Sequence, residues 1–362
     1  MKIGIPTEIK PLEGRVGLVP EACAELVNRG HDVLIQSGAG QASGYSDQAY
    51  ADLGGKLVNS ASEIYQLSDL VVKVKEPYGE EPEMLQAGQL LFCFLHLAAD
   101  EALTQRLLAS GVTGIAFETV EEQGRLPILA PMSDIAGRLA VQNGTILLHR
   151  QQGGKGLLLG GLPAAEPGHV VILGGGQAGG NAAELAAAMG ARVTVFDRLR
   201  ERMGVLRRMG KNVTALYPYK DAVSEAVASA DLLVGAVLIP GAKAPKVVDR
   251  SQISSMSPGS VVVDISVDQG GCIETTRPTS YENPTYQVDG VTHFCVTNMP
   301  GAVPRSASQA LSASMMPYLH RLVREDWQSD QQLWGAVNLA KGELVHPVLR
   351  DQYLSNKSNN NR

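Results

Sequence analysis

No stretch in this 362-residue chain reaches the roughly 18 apolar residues that a membrane-spanning helix needs; the longest apolar run, Leu90–Ala99, is short and holds a histidine. There is no basic excess, the formal net charge being −6, so the electrostatic footprint of a nucleic-acid binder is missing. Aromatics are scarce, with 5 Phe, 2 Trp and 10 Tyr. The four cysteines (Cys23, Cys93, Cys272 and Cys295) are widely spaced with no CxxC pair, so neither a disulfide framework nor a metal knuckle is indicated and no metal site is assigned. Reduced, buried thiols are expected, which fits a cytoplasmic protein. The N-terminus MKIGIPTEIK enters an alternating strand without a signal-peptide core. Glycine, in contrast, is abundant at 39 residues and has no G-X-Y period, so collagen is excluded and tight turns or close backbone approaches are implied.

The length predicts two domains. Short apolar runs alternate with helical stretches along the chain. Strands are expected at Lys2–Glu8, Asp32–Gln36, Asp69–Lys75, Gln89–His96 and Thr113–Glu118. A helix over Asp134–His149 and a Gly-rich segment, Gly153–Gly161, precede a second series. That series has strands at His169–Leu173, Arg192–Asp197, Val213–Leu216, Leu232–Val237, Ser260–Ser266 and His293–Thr297. Such alternation means parallel strands with helical crossovers. Ser308–Asn338 reads as helical and follows the second series, so it is expected to pack back on the first. The fold class is therefore α/β, two doubly wound Rossmann-like domains. The expected outer domain is discontinuous (1–130 with 306–362), and the inserted one covers 131–305. Gly153–Gly161 reads as a flexible interdomain connection, and the tail Ser355–Arg362 as disordered.

Strand His169–Leu173 runs into GGGQAGG, giving Gly174-x-Gly176-x-x-Gly179 and then an Ala-rich helix. Gly174 permits the tight turn, Gly176 the approach of a pyrophosphate, and Gly179 close helix–strand packing. The helix N-terminus suits the anion. Asp197, at the end of the next strand, is placed to accept from ribose hydroxyls and to repel a 2′-phosphate, so NAD is the predicted cofactor; the neighbouring Arg198 leaves tolerance of NADP open.

Ligands of parallel sheets bind outside the carboxyl ends of strands. Arg15, Lys75, His96, Asp268 and Asn298 all fall there. Singly each has an ordinary explanation: a packed histidine, a solvated lysine, a surface arginine, a capping aspartate. Together, on two edges facing across a cleft, they would bring two cations, an imidazole and a carboxylate to a nicotinamide, a set suited to a small anionic substrate.

From MKIGIPTEIK to about Tyr318 the chain resembles the bacterial alanine dehydrogenase family, which also contains the nucleotide-binding alpha domain of proton-pumping transhydrogenase. The resemblance rests on GRV at Arg15, SGAG at Ser37–Gly40, VKVKEP at Val72–Pro77 and FLHLAAD at Phe94–Asp100. It continues through APMSDIAGRLA at Ala130–Ala140, GGGQAGG, AVLIPGAKAPK at Ala236–Lys246, VDQGGCIET at Val267–Thr275 and TNMPGAVPR at Thr297–Arg305.

The resemblance implies reversible, NAD-dependent oxidative deamination of L-alanine to pyruvate and ammonia. It assigns Arg15 and Lys75 to the substrate, His96 and Asp268 to proton transfer, and Ser133, Arg202, Asn298 and Met299 to the cofactor. It also implies a homohexamer engaged in amino-acid catabolism; composition and charge add the expectation of a cytoplasmic protein with no membrane or nucleic-acid partner. The alternatives are a transhydrogenase nucleotide-binding subunit, or a dehydrogenase of another small L-amino acid or of lysine. The HLAAD segment argues against the first. The chain departs from the family at Phe94 (usually Tyr), Gly14 (usually Asn) and Cys93 (commonly Thr), and the departures at Phe94 and Gly14 leave substrate preference open.

Overall fold

The computed structural model describes residues 1–237, 244–351 and 353. The LIPGAK part of AVLIPGAKAPK and the tail Ser355–Arg362 lie outside the described residues. The chain divides into two compact units, Met1–Met132 with Gly301–Arg362, and Ser133–Pro300.

The first unit starts with strands β1 (Lys2–Ile5), β2 (Asp32–Gln36), β3 (Lys56–Val58), β4 (Leu70–Val72), β5 (Leu90–Cys93) and β6 (Thr113–Ala116). The second holds β7 (His169–Leu173), β8 (Arg192–Phe196), β9 (Val213–Leu216), β10 (Leu232–Gly235), β11 (Val261–Asp264), β12 (Thr285–Val288) and β13 (Val291–Phe294). The chain then returns to the first unit through helix Pro304–Leu322 and a closing hairpin of β14 (Val337–Ala340) and β15 (Glu343–Leu344).

The sheet orders are β15-β14-β6-β5-β4-β1-β2-β3 and β12-β13-β11-β10-β7-β8-β9. Pairing is parallel except for β14 and β15 in one sheet and β12 in the other. The central strands are continuous apolar runs because both sheet faces are covered: every residue of β4, β5, β7, β10 and β11 is buried. Both sheets have the doubly wound order, in which the winding direction reverses between β1 and β4 and between β7 and β10. Helix starts follow local chemistry. The side chains of Ser46, Ser60 and Asp100 accept from the N–H groups of Ala49, Glu63 and Leu103, and Asp249 forms a capping box with Gln252.

Two segments take a different form from the one their sequence suggests. The helix expected over Ser308–Asn338 ends at Leu322, and Asn338 lies in β14, antiparallel to β6. The reason is tertiary: β14 buries Val337 and Leu339 while pairing an edge of β6 that would otherwise be open. Gly153–Gly161 is not an interdomain connection but a fastened part of the second unit. Lys155 Nζ donates to Asp231 at 2.7 Å, Gly156 N donates to Leu148 O at 2.8 Å, and Leu159 is fully buried.

Helix Pro304–Leu322 completes the first unit. It buries Leu311, Met315 and Leu319, and its hydroxyls reach the chain after β1: Val16 N donates to Ser308 Oγ and Val19 N to Ser312 Oγ, both at 3.0 Å. Ser312→Ala should strand a buried N–H group and cost about 1–3 kcal/mol. Both tryptophans, Trp327 and Trp334, lie in this unit, so their fluorescence reports on it. The expected result is a lower urea midpoint with an unchanged slope; an unmoved midpoint would show that the Ser312 hydroxyl contributes nothing.

Candidate active site

In the first unit the strand reversal lies between β1 and β4, and the segments just past the carboxyl ends of β1, β4 and β5 carry Arg15, Lys75 and His96. Phe94 N donates to Val74 O at 3.0 Å, which ties the segments bearing Lys75 and His96 side by side. The ladders stop earlier than the apolar pattern suggests, at Val72 and Cys93. Each segment makes one further backbone bond, Lys73 N to Phe92 O and Phe94 N to Val74 O, and the N–H groups after it find side-chain carboxylates instead.

At His96 the substitute is Glu118. Its carboxylate accepts from His96 N at 2.7 Å and from Leu95 N at 3.2 Å. These bonds fix His96 in the left-handed region (φ 49°), which a residue with a Cβ enters only at a cost. The imidazole stacks on Phe94 (centroids 5.6 Å apart, planes within 2°), and Phe94 stands edge-on to Phe117 at 5.1 Å. Phe94 is buried, whereas the His96 side chain is 44% exposed. Its Nδ1 lies 3.9 Å from Glu118 Oε1, inside the carboxylate's field but beyond hydrogen-bond reach. This is a supported ring presented to solvent, unlike a packed core histidine.

Arg15 is almost fully buried and forms a two-pronged pair with Glu13: Nε to Oε1 at 2.6 Å and Nη2 to Oε2 at 2.5 Å. Its Nη1 lies 3.2 Å from Met132 Sδ. The fork geometry fixes the guanidinium plane. Lys75, half-buried nearby, has its pKa lowered, chiefly by burial and next by repulsion from Arg15. A poorly hydrated ammonium beside a fixed guanidinium is a place where a carboxylate would restore the balance of charge.

In the second unit the loop after β7 has the expected form. Gly174 has φ +89°, and a Cβ there would press on Ala236 O at 2.6 Å; a Cβ on Gly179 would overlap Gly174 O. Gly176 caps helix Gln177–Ala188. Among the described residues, the place a Gly176 Cβ would occupy has one neighbour within 4 Å, Arg202 Nη1 at 3.3 Å. Asp197 braces the loop, accepting from Gly175 N at 2.9 Å and Leu199 N at 2.7 Å. Ser133 lies near the start of helix Ala130–Leu147. Its neighbour Asp134 accepts from Gln177 Nε2 and Asn181 Nδ2 at 2.5 and 2.6 Å, fastening that helix to the one after the glycine loop.

Asp268 is exposed on a 3₁₀ turn (Ile265–Gln269), past the end of β11. Asp264 anchors that turn. Its carboxylate accepts from Ser266 N and Cys272 N at 3.0 Å each and from Thr276 Oγ1 at 2.7 Å, and burial holds its pKa above the ordinary value against these bonds. Lys246 Nζ donates to Gly270 O at 2.7 Å and Ile273 O at 3.0 Å. Asn298 takes φ 58° in the segment after β13, followed by buried Met299.

Each unit therefore gathers its own set on one sheet edge: Arg15, Lys75 and His96 in the first, and Gly174, Gly176, Gly179, Asp197, Arg202, Asp268, Asn298 and Met299 in the second. Sequence reading overlooked Glu8, Glu13, Glu118 and Asp264. Only Glu13 left a local signal, an acid two residues before Arg15.

The family described as alanine dehydrogenase/PNT matches through its N-terminal domain at residues 4–136 and its C-terminal domain at residues 140–347. The alanine dehydrogenase of Halomonas elongata is 46% identical, with 98% of this chain and 97% of the relative covered. That of Mycolicibacterium smegmatis is 48% identical, with 95% of each covered. A solved L-alanine dehydrogenase superposes with a TM-score of 0.95 at 48% identity, covering 98% of this chain and 99% of the other. A transhydrogenase from Sinorhizobium meliloti gives 0.83 at 25% identity, covering 96% and 99%. With both domains matched over nearly its whole length, the chain belongs to the alanine dehydrogenase/PNT family.

Proposed function

We propose that the protein is an NAD-dependent dehydrogenase that interconverts L-alanine with pyruvate and ammonia. The observation that carries this reading is the convergence of Arg15, Lys75 and His96 beyond three adjacent strands, at the reversal point of one sheet. The relatives named alanine dehydrogenase support it at 46–48% identity, against 25% for the transhydrogenase.

The first unit is the substrate domain in this reading, and the second the nucleotide domain. Arg15 and Lys75 hold the substrate carboxylate and carbonyl oxygen. His96 takes the proton from the water that adds to the oxidised substrate carbon, and returns it in the opposite direction. An imidazole suits this work because its ordinary pKa, about 6.5, lies near neutral pH. Asp268 assists proton transfer from its anchored turn.

The second unit's residues fit a dinucleotide. The side of the loop that only glycine leaves clear at Gly176 faces the Arg202 guanidinium, as a pyrophosphate requires. Gly174, Gly176 and Gly179 would hold the pyrophosphate and Asp197 the adenosine ribose, its oxygens keeping acceptor capacity beside their loop bonds. Ser133, Arg202, Asn298 and Met299 complete the set. When bound, NAD supplies the hydride acceptor. The exposed Arg198 bears on tolerance of NADP. Among the described residues no helix is long and apolar enough to cross a membrane. A cytoplasmic homohexamer acting in amino-acid catabolism completes the proposal.

The test is NAD reduction by the purified chain across a panel of small L-amino acids and lysine. L-Alanine is expected to be turned over with no membrane fraction added; failure of every substrate would overturn the dehydrogenase reading. His96→Ala should lower turnover by roughly 10²–10⁴-fold, the range of general acid–base catalysis, while leaving NAD affinity within about twofold. Unchanged turnover would make His96 structural.

A pH dependence follows from Lys75. A bound carboxylate favours the ammonium form, so above the lowered pKa substrate binding must take up a proton. The KM for pyruvate should be flat below that pKa and rise toward about tenfold per pH unit above it. The bend should fall below 10.5, the ordinary lysine value. Lys75→Met should show a high KM without that bend; persistence of the bend in the variant would assign it to another group.

A further inference from the structure

Behind Lys75 lies a buried ionic cluster with no part in the chemistry just described. Glu8, in the segment after β1, is buried, and its Oε1 accepts from Val74 N at 2.5 Å and Lys75 N at 3.4 Å. The Lys73 ammonium lies 3.5 Å from Glu8 Oε2 and 2.7 Å from Glu81 Oε2, with the three side chains at most 2% exposed. Tyr65 Oη donates to Glu81 Oε1 at 2.9 Å, and Tyr78 N donates to Glu81 Oε2 at 2.7 Å.

Such a cluster is a poor way to gain stability, because well-packed apolar side chains of similar volume usually do as well or better. The apolar neighbours Leu70, Val71, Val72 and Val74, all fully buried, show that this part of the sheet accepts aliphatic residues. What apolar residues could not supply is an acceptor for the N–H groups of Val74 and Lys75, just beyond the end of β4. Lys73, held between two carboxylates, keeps the Glu8 carboxylate aimed at them.

We infer that Glu8 is a positioning residue for the reaction: by holding the backbone N–H groups of Val74 and Lys75, it sets where the Lys75 ammonium meets the substrate carboxylate. This rests on the assignment of Lys75 to the substrate. Burial pushes the Glu8 carboxyl pKa up while Lys73 opposes the shift, and Lys73 itself is held above the ordinary lysine value by its two carboxylates despite its burial.

Two substitutions separate aim from charge. Glu8→Asp keeps the charge beside Lys73 but withdraws the oxygen from Val74 N and Lys75 N. Glu8→Gln keeps an acceptor of the same reach and removes the charge. With pyruvate as the varied substrate, Glu8→Asp should raise KM about tenfold, and Glu8→Gln should stay within about threefold of the parent, both keeping the KM for NADH within about twofold. Tryptophan fluorescence confirms folding of each variant. If Glu8→Gln does not fold, Glu8→Asp decides alone: a pyruvate KM raised about tenfold with the NADH KM unmoved supports the inference, and an unchanged pyruvate KM overturns it. The inference is overturned if Glu8→Gln raises the pyruvate KM more than Glu8→Asp, or if both KM values move together. Lys75→Met is measured alongside. If it raises the pyruvate KM while Glu8→Asp does not, only the role of Glu8 is lost; if it leaves that KM unchanged, the substrate assignment falls and the inference with it.

Discussion

Beyond the carboxyl ends of the central strands the hydrogen-bond ladders stop while the chain is still largely buried, and the N–H groups there must find acceptors elsewhere. Carboxylates meet that requirement four times. Glu8 serves the segment after β4, Glu118 the segment after β5, Asp197 the glycine loop after β7, and Asp264 the turn after β11. The candidate site residues hang from these braced segments: Lys75, His96, the Gly174–Gly179 loop and Asp268. Their positions depend less on regular structure than on acids that replace it.

The same device sets the local electrostatics. A carboxylate facing backbone N–H groups is stabilised by them, and it leaves negative charge beside the groups it supports. Glu13 does so for the Arg15 guanidinium and Glu8 for the Lys73 ammonium. Lys75 is placed differently: burial and Arg15 both oppose its charge. The unit thus has two cations matched by their own acids, Arg15 and Lys73, and a third, Lys75, whose charge burial opposes and whose charged form an anionic ligand favours.

Much of this was legible in the residues. Strands β2, β7 and β9 lie where the apolar pattern put them, since short aliphatic runs bounded by turn signals read as strands. The glycine fingerprint was equally plain, because the backbone conformation at Gly174 and the close approach at Gly179 admit almost nothing else. The bracing acids were not legible. Glu8 acts on a residue 66 positions away and Glu118 on one 22 away, and no local pattern announces a partner at that distance. The strand ends were overestimated for the same reason: Val74 and Leu95 are apolar and buried as strand residues would be, but their N–H groups bond to side chains. The hairpin β14–β15 was missed because its pairing with β6 is a tertiary fact, invisible in VNLA itself.

The return of the chain to its first unit also bears on the order in which the molecule can be completed. Residues 133–300 leave the ribosome as one continuous block, and every strand of their sheet is available before Pro304 is made. The first unit has no such independence. Val16 and Val19 wait for hydroxyls encoded 292 and 293 residues later, and β6 waits for β14. During synthesis the half of the protein that begins first is therefore the half that finishes last, and its open sheet edge must be kept from other partners until the C-terminal segment arrives.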